Sequence, residues 1–316
     1  MTTRVIRWLC RKPPADPSEW QGLVRLRRKV ALFDRVSGLF GMARASTYRW
    51  HRACIERVRV RVVRPNAMHL PHASDGPVLL YLHGGAFLLR ALNGHMNLAD
   101  RICRAAGLTE AILPIYRLAP EHPFPAAIDD CQAVYEGLLR HVPAERIVVA
   151  GDSAGGGLVL KLLMRARDRG LPMPSCAILL SAFTDLSCSG RSIETNAPVD
   201  PMFGTLPCMH ARYYLGEIGA RDARCSPLFG QFHDLPPLLA QVGSTERLLD
   251  DTLRLAPRVR RVNGRLVIEV WEEMPHVWHL MGLPESHAAI ESIARFIQEQ
   301  LKRPRLALPT THRRAA

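Results

Sequence analysis

The 316-residue sequence has no run of apolar residues approaching the roughly 20 needed to cross a bilayer, which excludes a membrane-spanning helix. Its 8 cysteines, Cys10, Cys54, Cys103, Cys131, Cys176, Cys188, Cys208 and Cys225, include no C-x-x-C pair, and no His/Cys cluster has zinc spacing. Structural zinc and dithiol redox chemistry are thereby left without a candidate, and no metal is expected. Several cysteines, such as Cys131 and Cys176, lie in apolar contexts and read as small core residues. Acidic residues are in deficit, 29 against 42 basic, for a formal charge of +13. Such an excess attracts polyanions, yet no nucleic-acid motif accompanies it and the arginines are spread along the chain. Arginine-heavy coding in a GC-rich genome is the simpler cause, and no nucleic-acid partner is expected. There is no internal repeat. The apolar stretch within Met1–Lys12 is too short and interrupted for a signal peptide, so a cytoplasmic location with reduced thiols is expected.

What is there is a hydrophobic content of 47%, enough over this length for one large core and a small accessory domain. Apolar runs such as Val78–Leu82, Ile147–Ala150 and Cys176–Leu180 alternate with helical stretches. That rhythm predicts an α/β chain with a mostly parallel central sheet covered by helices on both faces. The alternating Arg57-Val58-Arg59-Val60-Arg61-Val62 suits a half-exposed antiparallel edge at the start of the sheet. Residues 1–55 read differently. Pro13, Pro14 and Pro17 break the chain before a helix with Ser18 as candidate N-cap, in which Leu23, Leu26, Val30 and Phe33 form one face and Arg25, Arg28, Lys29 and Arg35 another. Three roles compete for this segment: part of a cap over a site, a basic helix on a membrane surface, and an ordinary solvated helix. Between Ser187 and Ala220 the α/β rhythm lapses, punctuated by Pro198, Pro201 and Pro207. The organisation expected is an N-terminal helical cap segment (1–55), an α/β domain (56–305) with a second cap contribution near 187–220, and a flexible tail (306–316).

The most informative segment is Gly151-Asp152-Ser153-Ala154-Gly155, entered by the apolar strand Arg146–Ala150 and followed by a helix-like run, Leu158–Arg167. Glycine on both sides of Ser153 permits a tight turn that lifts the hydroxyl clear of the backbone, the shape of a nucleophile elbow. Upstream, Val78–Leu82 ends in His83-Gly84-Gly85-Ala86-Phe87. Acyl transfer builds negative charge on a carbonyl oxygen, and fixed backbone N–H groups in a glycine turn offset it. Beside a serine elbow, the turn reads as half of an oxyanion hole, with the Ala154 N–H as the other half. A serine nucleophile also needs a base and an acid to orient it. Glu246 stands just past the strand Pro237–Gly243, with Asp250 and Asp251 as rivals one turn into a helix, where a carboxylate complements the helix dipole. His276 follows the strand Leu266–Trp271 in a loop, whereas His279 belongs to the next element.

Together with Tyr116-Arg117-Leu118-Ala119-Pro120-Glu121, which continues to Pro123-Phe124-Pro125-Ala126, these segments resemble the hormone-sensitive-lipase-like esterases of the α/β-hydrolase superfamily over roughly residues 60 to 300. The resemblance implies an α/β-hydrolase fold with a helical cap, and a serine carboxylesterase acting on short-to-medium acyl esters through an acyl-enzyme. Ser153 would be the nucleophile, His276 the base and Glu246 the acid. Gly84, Gly85 and Ala154 would supply the oxyanion amides, with His83 and Asp152 in support and no cofactor needed. Arg117 and Glu121 read as structural charges, and Phe40 and Met42 would line the acyl pocket. Two departures stand out. Ala86 occupies the place of a frequent third glycine, and Glu246-Arg247-Leu248-Leu249-Asp250 stands where many relatives have Asp-Pro-Leu-x-Asp; glutamate is an accepted third member of such a triad. Relatives often pair through the edge strand, here near Leu266–Trp271, so a homodimer is expected. Two other readings stay open: an N-acyl amidase or deacetylase using the same groups, and a non-catalytic small-molecule-binding protein like the plant hormone receptors on this fold, against which His276 counts.

Overall fold

The computed structural model describes residues 48–65, 76–201 and 207–302, with scattered positions between 23 and 34. In chain order the strands are β1 (Tyr48–Ile55), β2 (Val58–Pro65), β3 (Val78–Leu82), β4 (Glu110–Pro114), β5 (Ile147–Asp152), β6 (Cys176–Leu180), β7 (Leu238–Gly243) and β8 (Leu266–Trp271). The helices are α1 (Asn93–Ala106), α2 (Ala126–Leu139), α3 (Ala154–Asp168), α4 (Ser192–Thr195), α5 (Pro207–Leu215), α6 (Leu249–Leu253), α7 (Leu255–Arg260) and α8 (Pro284–Lys302). Every residue of β3, β5, β6 and β7 is buried. Their continuous apolar runs are what a strand needs when helices cover both of its faces.

One sheet of eight strands results, in the order β1-β2-β4-β3-β5-β6-β7-β8, antiparallel at β1-β2 and β2-β4 and parallel from β4 to β8. Met96, Leu98 and Ile102 of α1 pack with Ile290, Ile293 and Ile297 of α8 against one face. Ile128 and Val134 of α2 and Leu158, Leu162 and Leu163 of α3 cover the other. The chain leaves β3 for β4 on one side and returns to β5 on the other. That reversal puts the topological switch point at the carboxyl ends of β3 and β5, where open α/β sheets hold their ligands.

Two expectations need correction. Residues 48–55 are the sheet's outermost strand rather than helical cap, because Tyr48, Trp50 and their neighbours pair residue by residue with β2. The arginine-alternating β2 is therefore the second strand, and the antiparallel edge is β1. The described positions at 23, 25, 27–30, 32 and 34 are helical, with Leu23 buried and Arg25, Arg28 and Lys29 exposed. Ser18, Leu26, Phe33, Arg35, Phe40, Met42 and the tail from 306 lie outside the described residues. Among the described residues, no helix is long and apolar enough to cross a membrane.

Candidate active site

Ser153 sits between the last residue of β5 and the first of α3 with φ 52° and ψ −120°, a backbone that side chains other than glycine rarely adopt. Holding it there costs about 1–3 kcal/mol. Burial of Leu158, Leu162 and Leu163 behind it, at about 1.5–3 kcal/mol each, is more than enough to hold the turn. The flanking glycines are required by space. A Cβ on Gly155 would strike the Leu82 carbonyl oxygen, and one on Gly151 would lie 2.6 Å from the Gly155 oxygen. The Ser153 N–H donates to Leu180 O (2.8 Å) and its carbonyl accepts from Phe183 N (2.9 Å), so the turn is stitched to the end of β6.

His276, in the loop after β8, brings Nε2 to 3.0 Å from Ser153 Oγ and Nδ1 to 2.7 Å from Glu246 Oε2. The carboxylate fixes the tautomer: Nδ1–H donates to Glu246, leaving Nε2 to accept the Ser153 hydroxyl proton. Glu246 is fully buried, and its other oxygen accepts from the Gly243 N–H (2.6 Å) and from Ser181 Oγ–H (2.7 Å). Ser181 in turn accepts the Val277 N–H at 3.1 Å, tying the acid to the histidine loop. Burial alone would push the His276 pKa down, but the hydrogen bond and charge of Glu246 more than offset it, and the ring lies above the ordinary histidine value.

The rivals are placed elsewhere. The Asp250 carboxylate accepts the Ser192 N–H at 3.1 Å, and the Asp251 carboxylate accepts the Thr184 and Asp185 N–H groups at 2.6 and 2.8 Å. Burial raises the Asp251 pKa to about 7. His279 pairs through Nε2 with Gln241 Oε1 (2.8 Å), and burial lowers its pKa to about 3.

Asp152 and His83 shape the other wall. Asp152 Oδ1 accepts from Tyr81 Oη–H (2.8 Å) and from the Gly84 N–H (2.9 Å), while Oδ2 lies 3.5 Å from His95 Nε2. Burial would raise its pKa, but His95 and these donors prevail and bring it to about 2. The His83 ring stacks on Tyr116 at 4.2 Å, its Nδ1–H donates to Gly84 O (2.7 Å), and Tyr116 Oη–H donates to His83 O (2.7 Å). Burial lowers the His83 pKa to about 3, so the ring is neutral. One expectation is corrected here: the single N–H of Gly84 is committed to Asp152 and is not free to meet an oxyanion. The next two residues, Gly85 and Ala86, have φ 117° and 54°, and neither donates its N–H in a hydrogen bond among the described residues. The Ala154 N–H is the first of α3, where helix amides lack intrahelical acceptors.

Arg117 and Glu121 are structural. Arg117 grips Asp130 (Nη2 to Oδ1, 2.8 Å), and Glu121 is paired with Arg27 of the N-terminal helical positions. Arg27 also donates to Leu88 O (2.9 Å) and Ala119 O (2.7 Å), so that segment lies against the glycine turn. Asn196, just after α4, donates to Glu246 O (2.8 Å) and Ser244 O (3.0 Å), and Asp200 accepts the Arg247 N–H (2.8 Å). Sequence reasoning missed Ser181, Tyr81, His95 and Asn196 as supports, since each reaches its partner across the sheet or across a loop and carries no local motif. Among the described residues, no group of three or more His, Cys, Asp or Glu side chains is arranged to hold a metal ion.

A family model described as the alpha/beta hydrolase fold matches residues 79–280, which carry the turn, the elbow, Glu246 and His276. The chain belongs to the α/β-hydrolase family. Within it, the chain falls with the hormone-sensitive-lipase-like group: an esterase from the bacterial hormone-sensitive lipase family superposes with a TM-score of 0.84 at 34% identity, covering 95% of this chain and 96% of that one. An acetyl-hydrolase of Streptomyces hygroscopicus is 40% identical over 72% of this chain and 77% of its own length. An esterase of Acinetobacter venetianus is 35% identical over 71% and 75% respectively. This hydrolase thus has the predicted fold class, with a mostly parallel sheet of eight strands.

Proposed function

We propose that this carboxylic ester hydrolase cleaves short-to-medium acyl esters through Ser153, His276 and Glu246. The observation that carries the reading is the unbroken line from Glu246 Oε2 through the His276 ring to Ser153 Oγ, at 2.7 and 3.0 Å, on a strained elbow. His276 Nε2 takes the hydroxyl proton as Ser153 Oγ bonds to the ester carbonyl carbon. The oxygen becomes negative and is met by the Gly85, Ala86 and Ala154 amides. The tetrahedral centre collapses as the imidazolium gives its proton to the departing alcohol. Water, deprotonated by the same ring, then attacks the acyl-serine; its addition and collapse release the acid and return the proton to Ser153 Oγ. Glu246 stabilises the imidazolium throughout. The acetyl-hydrolase relative favours the short end of the acyl range.

The N-terminal helical segment and the 187–220 region act as the cap in this reading, supported by the bonds of Arg27 to the turn and of Asn196 to the acid loop. A homodimer through β8 belongs to it too, supported by the open edge and by Val267 and Val270, each 47% exposed. So does a cytoplasmic location, in keeping with free thiols at Cys54, Cys103, Cys131, Cys176, Cys188 and Cys225. The test is hydrolysis of a p-nitrophenyl ester series from acetyl to palmitoyl. Turnover peaking at short acyl chains and lost in Ser153→Ala supports the reading. Equal rates for wild type and Ser153→Ala across the series would sink it.

A further inference from the structure

Lys161 lies two turns along α3 from Ser153, is 2% exposed, and takes no part in the chemistry above. Among the described residues no carboxylate is hydrogen-bonded or ion-paired to it. Nζ donates to Cys225 O at 3.0 Å and sits 3.4 Å from Tyr214 Oη. It also lies 4.8 Å from the ring centroids of both Phe87 and Tyr214. A buried ammonium without a counter-ion is expensive, and a carbonyl, a phenol oxygen and the π-electrons of the stacked ring pair beside it are what this one receives in exchange for water. The two rings stack on each other at 3.9 Å and 11°, joining the glycine turn to α5.

The turn needs such a hold. Gly85, Ala86 and Phe87 run through φ 117°, 54° and 63°, three successive positive values of which two are on residues with side chains. The backbone of Phe87 is pinned on one side by Ala119 N–H donating to Phe87 O at 3.0 Å. Its ring is pinned on the other by Lys161 and Tyr214. We infer that the Lys161 ammonium is a positioning residue for the oxyanion amides: gripping the Phe87 ring, it holds the strained turn that presents the Gly85 and Ala86 N–H groups to the ester oxygen. The inference deepens the esterase reading and rests on it.

The groups facing Lys161 are the Cys131 thiol from α2, the Tyr214 hydroxyl from α5, and Cys225 from the following loop. Burial pushes the pKa of each of these up, so all three are neutral near neutral pH. The nearby charges are spoken for: Asp129 pairs with Arg165 (2.8 Å) and Asp130 with Arg117 (2.8 Å). Burial brings Lys161 itself down to about 7, with Cys225 and Cys131 acting in the opposite direction. The grip is therefore full when the amine is protonated and fades as pH rises through that value.

The experiment compares full-length wild type with Lys161→Met, which keeps an unbranched side chain, one atom shorter, and removes its charge. It measures kcat and KM on p-nitrophenyl acetate from about pH 6 to about pH 9, and amide exchange in the peptide spanning residues 84–89. The expected result is a kcat about tenfold lower in the variant at the acid end with KM within about twofold, the ratio shrinking toward one at the alkaline end. Exchange in the turn, corrected for its intrinsic rate, should be faster in the variant and should quicken in wild type as pH rises. A purely structural lysine would give a ratio that does not change with pH. That result, or turn exchange equal in the two proteins at the acid end, overturns the inference. Loss of ester turnover in wild type would instead sink the esterase reading, and the exchange data still decide the role of Lys161. If Lys161→Met does not fold, the pH dependence of exchange in wild type alone decides it: a turn that loosens through about pH 7 supports the grip, and one that does not overturns it.

Discussion

Two buried carboxylate–histidine pairs flank Ser153, and they differ in what the far nitrogen of the histidine meets. In Glu246–His276 that nitrogen is Nε2, 3.0 Å from the Ser153 hydroxyl. In Asp152–His95 it is Nδ1, which accepts the Leu92 N–H at 2.9 Å. The first ring is left one site through which a proton can pass to the reacting atom. The second has that site closed by backbone, so its carboxylate is left to hold architecture, gripping Gly84 and Tyr81. The same pair of side chains becomes a relay or a clamp according to one hydrogen bond.

The sharpest way to break this contrast is to remove each member in turn. His276→Ala should lower kcat/KM on p-nitrophenyl acetate by about 10⁴-fold or more, whereas His95→Ala should cost less than about tenfold. Comparable losses in the two variants would erase the distinction. Glu246→Gln comes next, with an expected loss of about 10³–10⁴-fold, because the neutral amide no longer stabilises the imidazolium or enforces its tautomer. A pH profile sharpens the same point. His276 must be neutral to act, and its pKa lies above the ordinary 6.5, so the acid limb of kcat/KM should have its midpoint above 6.5 in wild type. In Glu246→Gln the residual activity should show that limb displaced to lower pH.

A smaller effect is expected from Asp152→Asn, in which an amide donor would face His95 Nε2–H. A fall in kcat of about 10- to 100-fold with little change in KM is expected if Asp152 only sets the turn. The clamp also has a signature in stability. Its folded pKa of about 2 lies below the ordinary 3.8, so its contribution is present above 3.8 and is lost as pH falls toward 2. Urea titrations at neutral pH and near pH 2 should show wild type losing about 2 kcal/mol more than Asp152→Asn over that interval. The least effect on activity belongs to the surface. Val267→Glu with Val270→Glu on β8 should convert a dimer to a monomer by light scattering while changing kcat/KM by less than about twofold.

Much of the sheet was legible. The apolar runs at 78–82 and 176–180 became strands over those residues, because a strand covered on both faces leaves an unmistakable continuous pattern, and 266–271 became the half-exposed edge strand, its β-branched residues carrying the signal. The first strand was not legible in the same way. Tyr48–Ile55 is mostly exposed and arginine-rich, and it is a strand through pairing with β2, so no apolar run announces it. The elbow was readable for a steric reason: Gly151 and Gly155 are where side chains collide with backbone.

What the sequence determined by itself is what short-range physics controls: which of the buried segments are strands and helices, that a serine stands on a turn too tight for flanking side chains, and the chain order of serine, carboxylate and histidine. The tertiary structure alone decided the pairings. It set His276 rather than His279 against Ser153, and Glu246 rather than Asp250 or Asp251 against His276. It also committed the Gly84 amide to Asp152, so that Gly85 and Ala86 are the turn residues whose N–H groups stay open among the described residues. The physical reason is that a hydrogen bond is a matter of distance and direction. Those are fixed here by the register of strands far apart in the chain: Gly84 lies two residues past β3 and Asp152 ends β5, and these strands pair Leu82 with Gly151.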